Sequence, residues 1–238
     1  VWTYNITKPE LVCGLHRDYI AAGSKLILTN TFCANALAVD KEGFGVGEVV
    51  RAGVRAARKA AAGTDVRVGL DVGPLTSLLA PFGEISHERA HEIYREQILS
   101  GMEEGPDCII LETFMDLEMI SIALAEARAS GVPVICSMSF TKFGKTIMGN
   151  KVEKIAARLE AEGACAVGLN CSLGPDAALP IIKQFAACTA LPLVFKPNAG
   201  LPGEDGESGI GPDGFASSVM RAVEAEAAKS GARYDAPR

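Results

Sequence analysis

The sequence predicts an α/β fold of the (β/α)8 barrel type, and three observations carry that expectation. Six apolar, β-rich runs alternate with helical patterns along the chain. Continuous apolar runs of this kind suit strands covered on both faces, as in a parallel sheet. Each run also ends in polar residues. In a closed barrel those ends share one rim and converge on one site, whereas an open doubly wound sheet gathers polar ends at a single switch point.

Taken in order, the expected strands are SKLILTNTF (24–32), VRVGLDVG (66–73), DCIILETF (107–114), VPVICSMSF (132–140), ACAVGLNCS (164–172) and LPLVFKPNAG (191–200). Their polar ends are Asn30 and Thr31, Asp71, Glu112 and Thr113, Ser139, Asn170 and Cys171, and Lys196 and Asn198. Between them, Asp116 is placed to cap a helix with Leu117, Ile120 and Leu124 on one face before Gly131. Val152, Ile155, Ala156 and Leu159 repeat that spacing before Gly163. GEDGESGIGPDG (203–214) reads as a long polar loop, and VWTYN at the start as loop-like. Six strands fall two short of eight, and a barrel typically needs about 250 residues. The expectation is therefore a single barrel domain over 1–238, incomplete at both ends, with Ala232 to Tyr234 beginning a further strand.

Composition narrows the function classes. The 238 residues are 48% hydrophobic and 22% charged, enough for one sizeable core. A net charge of -6 with no Lys/Arg stripe argues against nucleic-acid binding. No run of about 18 apolar residues suggests a membrane span, and the first residues do not read as a leader, so a cytoplasmic protein is expected. Seven scattered cysteines without CxxC spacing argue for reduced thiols rather than a disulfide framework. Cys108, Cys136 and Cys165 lie in apolar runs and Cys13 and Cys188 on helices, where free cysteines pack as small hydrophobes; Cys33 is expected to pack in a loop.

Cys171 differs. Flanked by Asn170 and Ser172 at a strand end, its thiol suits a nucleophile or a soft-metal ligand. Glu112 and Asp71 could act as acid and base or bind an ammonium group. His87-Glu88-Arg89-Ala90-His91 fits HExxH, but Ser86 is placed to cap that helix and Ala90, Ile93 and Tyr94 form its buried stripe. The histidines then face outward, and no third ligand follows at a recognised distance. Lys196 offers another chemistry, a Schiff base of the aldolase kind if neighbours desolvate it, and otherwise an ion pair with Glu112 or Asp71.

Read together, HRDYIAAGSKLILTNTFCAN (16–35), IILETFMDLEM (109–119), SMSF (137–140), MGN (148–150), VGLNCSLGP (167–175) and KPNAGLP (196–202) resemble the homocysteine S-methyltransferase family. GLNCSLGP with PNAGLP is most similar to the homocysteine-binding module of its cobalamin-dependent methionine synthase branch. The resemblance implies a (β/α)8 barrel with zinc at its rim, Cys171 as one zinc ligand and Asn198 as a weak one. It also implies Glu112 on the homocysteine amino group, with Asp71, Ser139, Asn30 and Asn170 around the amino acid. The expected partner is a corrinoid-binding domain or protein that supplies methylcobalamin. A family GGCCG motif should follow Tyr234 and contribute two more ligands, but the sequence reads DAPR, and the Gly-rich first-strand motif is absent before Val1. The retained rim residues favour an active methyltransferase whose cysteine pair lies outside this sequence over a repurposed scaffold. A non-catalytic barrel that binds an amino acid or a corrinoid partner, and the Lys196 aldolase, are the alternatives.

Overall fold

The computed structural model describes residues 2–39, 43–200 and 209–230. The start of a further strand at Ala232–Tyr234 lies outside them, as do residues 203–208 of the polar loop. Six strands follow one another through the sheet in sequence order. The chain divides into two compact units, one comprising Val1–Glu112 and Glu118–Ile135, the other Thr113–Leu117 and Cys136–Arg238.

The first unit opens with α1 (Tyr4–Thr7) and α2 (Pro9–Ala21). VWTYN is thus not loop-like throughout. Asn5 is buried in α1 with three hydrogen bonds on its amide: Nδ2 donates to Asn30 O at 2.8 Å and to Val49 O at 3.1 Å, and Oδ1 accepts from Asn30 Nδ2 at 2.9 Å. Pro9 starts α2, where a missing N–H costs nothing. Strand β1 (Leu26–Leu28) pairs in parallel with β2 (Arg67–Val72), setting Ile27 opposite Val68. A short α3 (Ala36–Val39) leads to α4 (Val46–Ala61), whose buried residues recur every three or four positions. Ala57 and Ala61 of α4 pack with Ile27, Val66 and Val68 in one apolar cluster, so α4 covers this part of the sheet.

Ser86 caps α5 (His87–Met102) as expected, its Oγ accepting from Arg89 N–H at 3.1 Å, and Ala90, Ile93 and Tyr94 are buried. Strand β3 (Cys108–Phe114) pairs in parallel with β2, with Asp71 opposite Ile110. Helix α6 (Leu117–Arg128) follows, its Leu117, Ile120 and Leu124 buried, and Gly131 closes the segment at φ 77°.

The second unit carries β4 (Val134–Met138) through its last residues, α7 (Val152–Ala161), β5 (Ala166–Asn170), α8 (Pro175–Cys188), β6 (Leu193–Lys196) and α9 (Pro212–Ser230). Val152, Ile155, Ala156 and Leu159 are buried on α7, as their spacing predicts. β5 and β6 pair in parallel, and Gly168 is required there because a Cβ would stand 2.0 Å from Val194 O. Cys165 does not pack as expected: it lies one residue before β5 and is exposed, whereas Cys108 and Cys136 are buried inside their strands.

Candidate functional site

Polar side chains collect at the C-terminal ends of the strands in both units, where a barrel carries its chemistry. In the first unit they form a closed network after β1 and β2. Asp71 N–H donates to Thr29 Oγ1 at 3.0 Å, and Thr31 Oγ1 donates to Asp71 O at 2.7 Å. The two hydroxyls are 2.6 Å apart, so with Thr31's proton already committed Thr29 donates to Thr31. From α5, Gln97 Nε2 reaches Thr31 O at 3.0 Å. This frame holds Asp71, itself only 6% exposed, at the end of β2.

The Asn30 side-chain amide donates to Asn5 and braces the end of β1. Cys33 follows in left-handed backbone at φ 53°. Its thiol donates to Pro74 O at 3.3 Å, and burial, with the nearby Asp71 charge adding to it, pushes the thiol up to about 12. At neutral pH Cys33 is therefore a thiol and not a thiolate. Glu112, half-buried, stands near the end of β3.

In the second unit Asn170 organises the strand ends. Its Oδ1 accepts from Thr113 N–H at 2.8 Å and from Ser137 Oγ at 2.7 Å, and its Nδ2 donates to Thr113 Oγ1 at 2.7 Å. Both lone pairs of the amide oxygen are thus used, leaving one amide hydrogen for anything else. Ser139, also buried, donates through Oγ to Asn170 O at 3.1 Å and through N–H to Phe114 O at 2.8 Å.

Cys171 comes next, half-buried, at φ 59°, with Ser172 at φ 58° behind it. Two successive left-handed residues that are not glycine are costly, and such strain collects where function needs a side chain aimed. The bend is held by Cys171 N–H to Lys196 O at 3.0 Å, Leu173 N–H to Cys171 O at 2.7 Å and Ser172 Oγ to Phe140 O at 3.0 Å. Asn198 N–H donates to Leu173 O at 2.9 Å, which fastens the segment after β6 to the turn that carries Cys171. The structure therefore brings Thr113, Ser139, Asn170, Cys171 and Asn198 into one bonded group.

Other candidate chemistry loses ground. Lys196 is exposed, so the burial a Schiff-base lysine needs is not there. In the HExxH segment His87 is exposed and His91 Nδ1 sits 2.7 Å from Glu126 Oε1, a carboxylate also held by Arg95. Among the described residues no three His, Cys, Asp or Glu side chains are grouped to hold a metal. Those residues alone do not fit zinc, which needs three or four protein ligands, since Cys171 is a single thiol donor and no such group surrounds it among them. The residues after Tyr234, where the cysteine pair was expected, read DAPR and lie outside the described residues.

Sequence reasoning missed two contributors, Asn5, in a segment read as loop-like, and Gln97 on α5. It named Thr113 as a polar strand end but not its left-handed backbone, φ 65°.

Parallel strands in sequence order, helices between them and polar groups at the C-terminal strand ends define a partial (β/α)8 barrel of the enzyme type. The homocysteine S-methyltransferase family profile matches residues 1–233, and the chain belongs to that family. Among curated proteins it is 26% identical over 214 residues to the methionine synthase of Mycobacterium leprae (strain TN), a match spanning 83% of this chain and 17% of that protein. The methionine synthase of Mycobacterium tuberculosis (strain ATCC 25618 / H37Rv) is 26% identical over 211 residues, 83% of this chain and 18% of that protein. The chain thus spans less than a fifth of the length of these relatives. The fold is that of the homocysteine methyltransferase MmuM of Escherichia coli. The metallated form superposes with a TM-score of 0.75 over 83% of this chain and 75% of that one at 22% identity. The oxidised form gives 0.80 over 94% and 80% at 19% identity.

Among the described residues no helix is long and apolar enough to cross a membrane.

Proposed function

We propose that this chain transfers a methyl group to the thiol of homocysteine, giving methionine. The observation that carries the reading is Cys171, a half-buried thiol held in left-handed backbone at the end of β5 in a chain whose family is matched over residues 1–233. In this reading Glu112 and Asp71 take the substrate ammonium group and Ser139 lies beside the amino acid. Asn170 keeps the ends of β3, β4 and β5 in register around it, and Asn30 does the same for β1. Carboxylates at buried strand ends suit an ammonium ion because charge-assisted bonds strengthen away from water.

A free thiol near pKa 8.5 is mostly protonated at neutral pH, while only the thiolate is a strong nucleophile. Zinc, when bound, holds a thiol deprotonated. The described residues contribute Cys171, and weakly Asn198, to such an ion, so the other ligands of this reading lie outside them. The chain's own part is to seat the amino acid and aim its sulfur at the methyl carbon, which leaves its donor as the new sulfur–carbon bond forms. Methylcobalamin, carried by a corrinoid-binding domain or protein, is the donor in this reading, and it is supported by the two methionine synthase relatives.

The test is zinc analysis of the full-length protein together with methionine formation from homocysteine and methylcobalamin. Zinc near one per chain and thiol methylation are expected. A protein with neither overturns the reading.

A further inference from the structure

Residues 141–151, TKFGKTIMGNK, leave the end of β4 as two successive tight turns of matching design. Gly144 N–H donates to Thr141 O at 3.1 Å and Gly149 N–H to Thr146 O at 2.9 Å, with both glycines at positive φ, 71° and 82°. Thr141 N–H and Oγ1 each donate to Lys145 O at 2.8 Å, and Thr146 N–H donates to Asn150 O at 3.0 Å. Asn150 N–H returns to Thr146 Oγ1 at 3.2 Å, and Lys145 and Lys151 form an antiparallel bridge. Thr146 is buried at the centre of this frame.

What the frame displays is apolar. Phe143 is 79% and Ile147 71% exposed, and Met148 is exposed beside Ile147. The turns satisfy their own backbone, so nothing in the fold of the loop requires large apolar side chains at its tips. Held-out apolar groups of this kind mark an interaction surface. Lys142, Lys145 and Lys151 lie in the same segment and are exposed, and Lys142 Nζ stands 5.4 Å from the Phe143 ring centroid. No acidic residue occurs between 139 and 152, in a chain whose net charge is -6. The patch is therefore basic and apolar on an acidic protein, which suits a partner with an apolar centre and an acidic rim.

Its position adds the rest. The loop begins one residue after Phe140, whose carbonyl accepts from Ser172 Oγ, and Ser172 is the neighbour of Cys171. A methyl group carried on a macromolecule reaches a sulfur at these strand ends only if the carrier seats on the surrounding loops. We propose that residues 141–151 dock the acidic face of the protein or domain that brings the methyl donor. The inference rests on the methyl-transfer reading.

The experiment compares two donors in the full-length protein, free methylcobalamin and methylcobalamin held on the purified corrinoid protein. Two variants are used, F143S/I147S/M148S and K142E/K145E/K151E. With the protein-held donor, kcat/KM should fall roughly 10-fold or more in each variant, the scale of losing a small cluster of interface anchors. With free methylcobalamin both variants should stay at the wild-type value. Rising salt should slow the wild type with the protein-held donor and leave the lysine variant less affected. Equal losses with both donors, or no loss with the protein-held one, overturn the proposal. A wild type that methylates homocysteine with neither donor overturns the methyl-transfer reading instead. The surface is then judged by sedimentation: the corrinoid protein bound by wild type and not by the variants keeps the docking inference, and equal or absent binding removes it.

Discussion

Cys33 and Cys171 each follow a strand end, each in left-handed backbone, at φ 53° and 59°. Their surroundings make them different chemical groups. Cys33 is tied by its own proton to Pro74 O and is pushed up to about 12 by burial and by the Asp71 charge. At Cys171 it is the backbone that is tied, to Lys196 O and to Leu173 N–H, and the side chain is half-buried at the end of β5. A strained backbone thus does not by itself leave a thiol available. What separates the two thiols is which atoms the surrounding bonds consume.

The sharpest way to break that comparison is to remove each thiol in turn. Cys171→Ala should lower kcat/KM for homocysteine by more than about 100-fold, beyond what loss of a supporting group costs a metal site. Zinc bound per chain should fall with it. Cys33→Ala should leave both near wild type. Similar losses in the two variants, read by methionine formation and metal analysis, would show that the two strand ends are not chemically distinct.

Asn170→Ala tests the brace under Cys171. It strands the part-buried Thr113 N–H and the buried Ser137 hydroxyl, groups that cost about 1–3 kcal/mol each when buried and unpaired, so a stability loss of about 2–4 kcal/mol is expected. Denaturant unfolding measures it, and Asn170→Asp, which keeps the acceptor oxygen, should recover part. A loss below about 0.5 kcal/mol would mean the amide carries no such load.

The six strands were legible because apolar runs report burial on both faces, yet their ends were not. β1 was expected over 24–32 and stops at Leu28, because the Thr29 and Thr31 hydroxyls bond Asp71's backbone and Thr31 N–H turns back to Thr29 O. Local pattern holds no trace of a partner 42 residues away. Thr113 makes the same point more strongly. A β-branched residue favours extended backbone, yet Thr113 is left-handed where the Asn170 amide, 57 residues on, bonds both its N–H and its hydroxyl. Cys171 was legible for the opposite reason: Asn170 and Ser172 beside it broke the apolar run, and composition alone set it apart. Cys165 was misread because the run ACAVGL gives no sign that the strand begins at Ala166.

A pH series tests the other half of the comparison. An unfolded thiol loses its proton near pH 8.5, while folded Cys33 keeps it until about 12. Between those values the unfolded chain binds fewer protons than the folded one, so stability falls as pH rises. Below about 8.5 the contribution is intact. The wild type should therefore lose denaturant resistance between pH 8 and 10 more steeply than Cys33→Ala. Parallel slopes would place Cys33 in contact with water.

The smallest effect concerns the bend itself. Ser172 sits at φ 58° with its hydroxyl on Phe140 O. Glycine there would relieve about 1–2 kcal/mol of left-handed penalty. Against that stand about 0.5–1 kcal/mol of added backbone entropy cost and a hydrogen bond worth about 0.5–1.5 kcal/mol. These terms nearly cancel, so Ser172→Gly should unfold within about 1 kcal/mol of wild type. Activity is the informative readout, because the relief of strain and the aim of Cys171 pull apart here. If the strain merely accompanies the turn, the glycine variant keeps its kcat/KM for homocysteine. If the Ser172 bond to Phe140 O fixes the direction of the neighbouring thiol, kcat/KM falls while stability holds, and Ser172→Ala, which loses the bond and keeps the strain, falls with it.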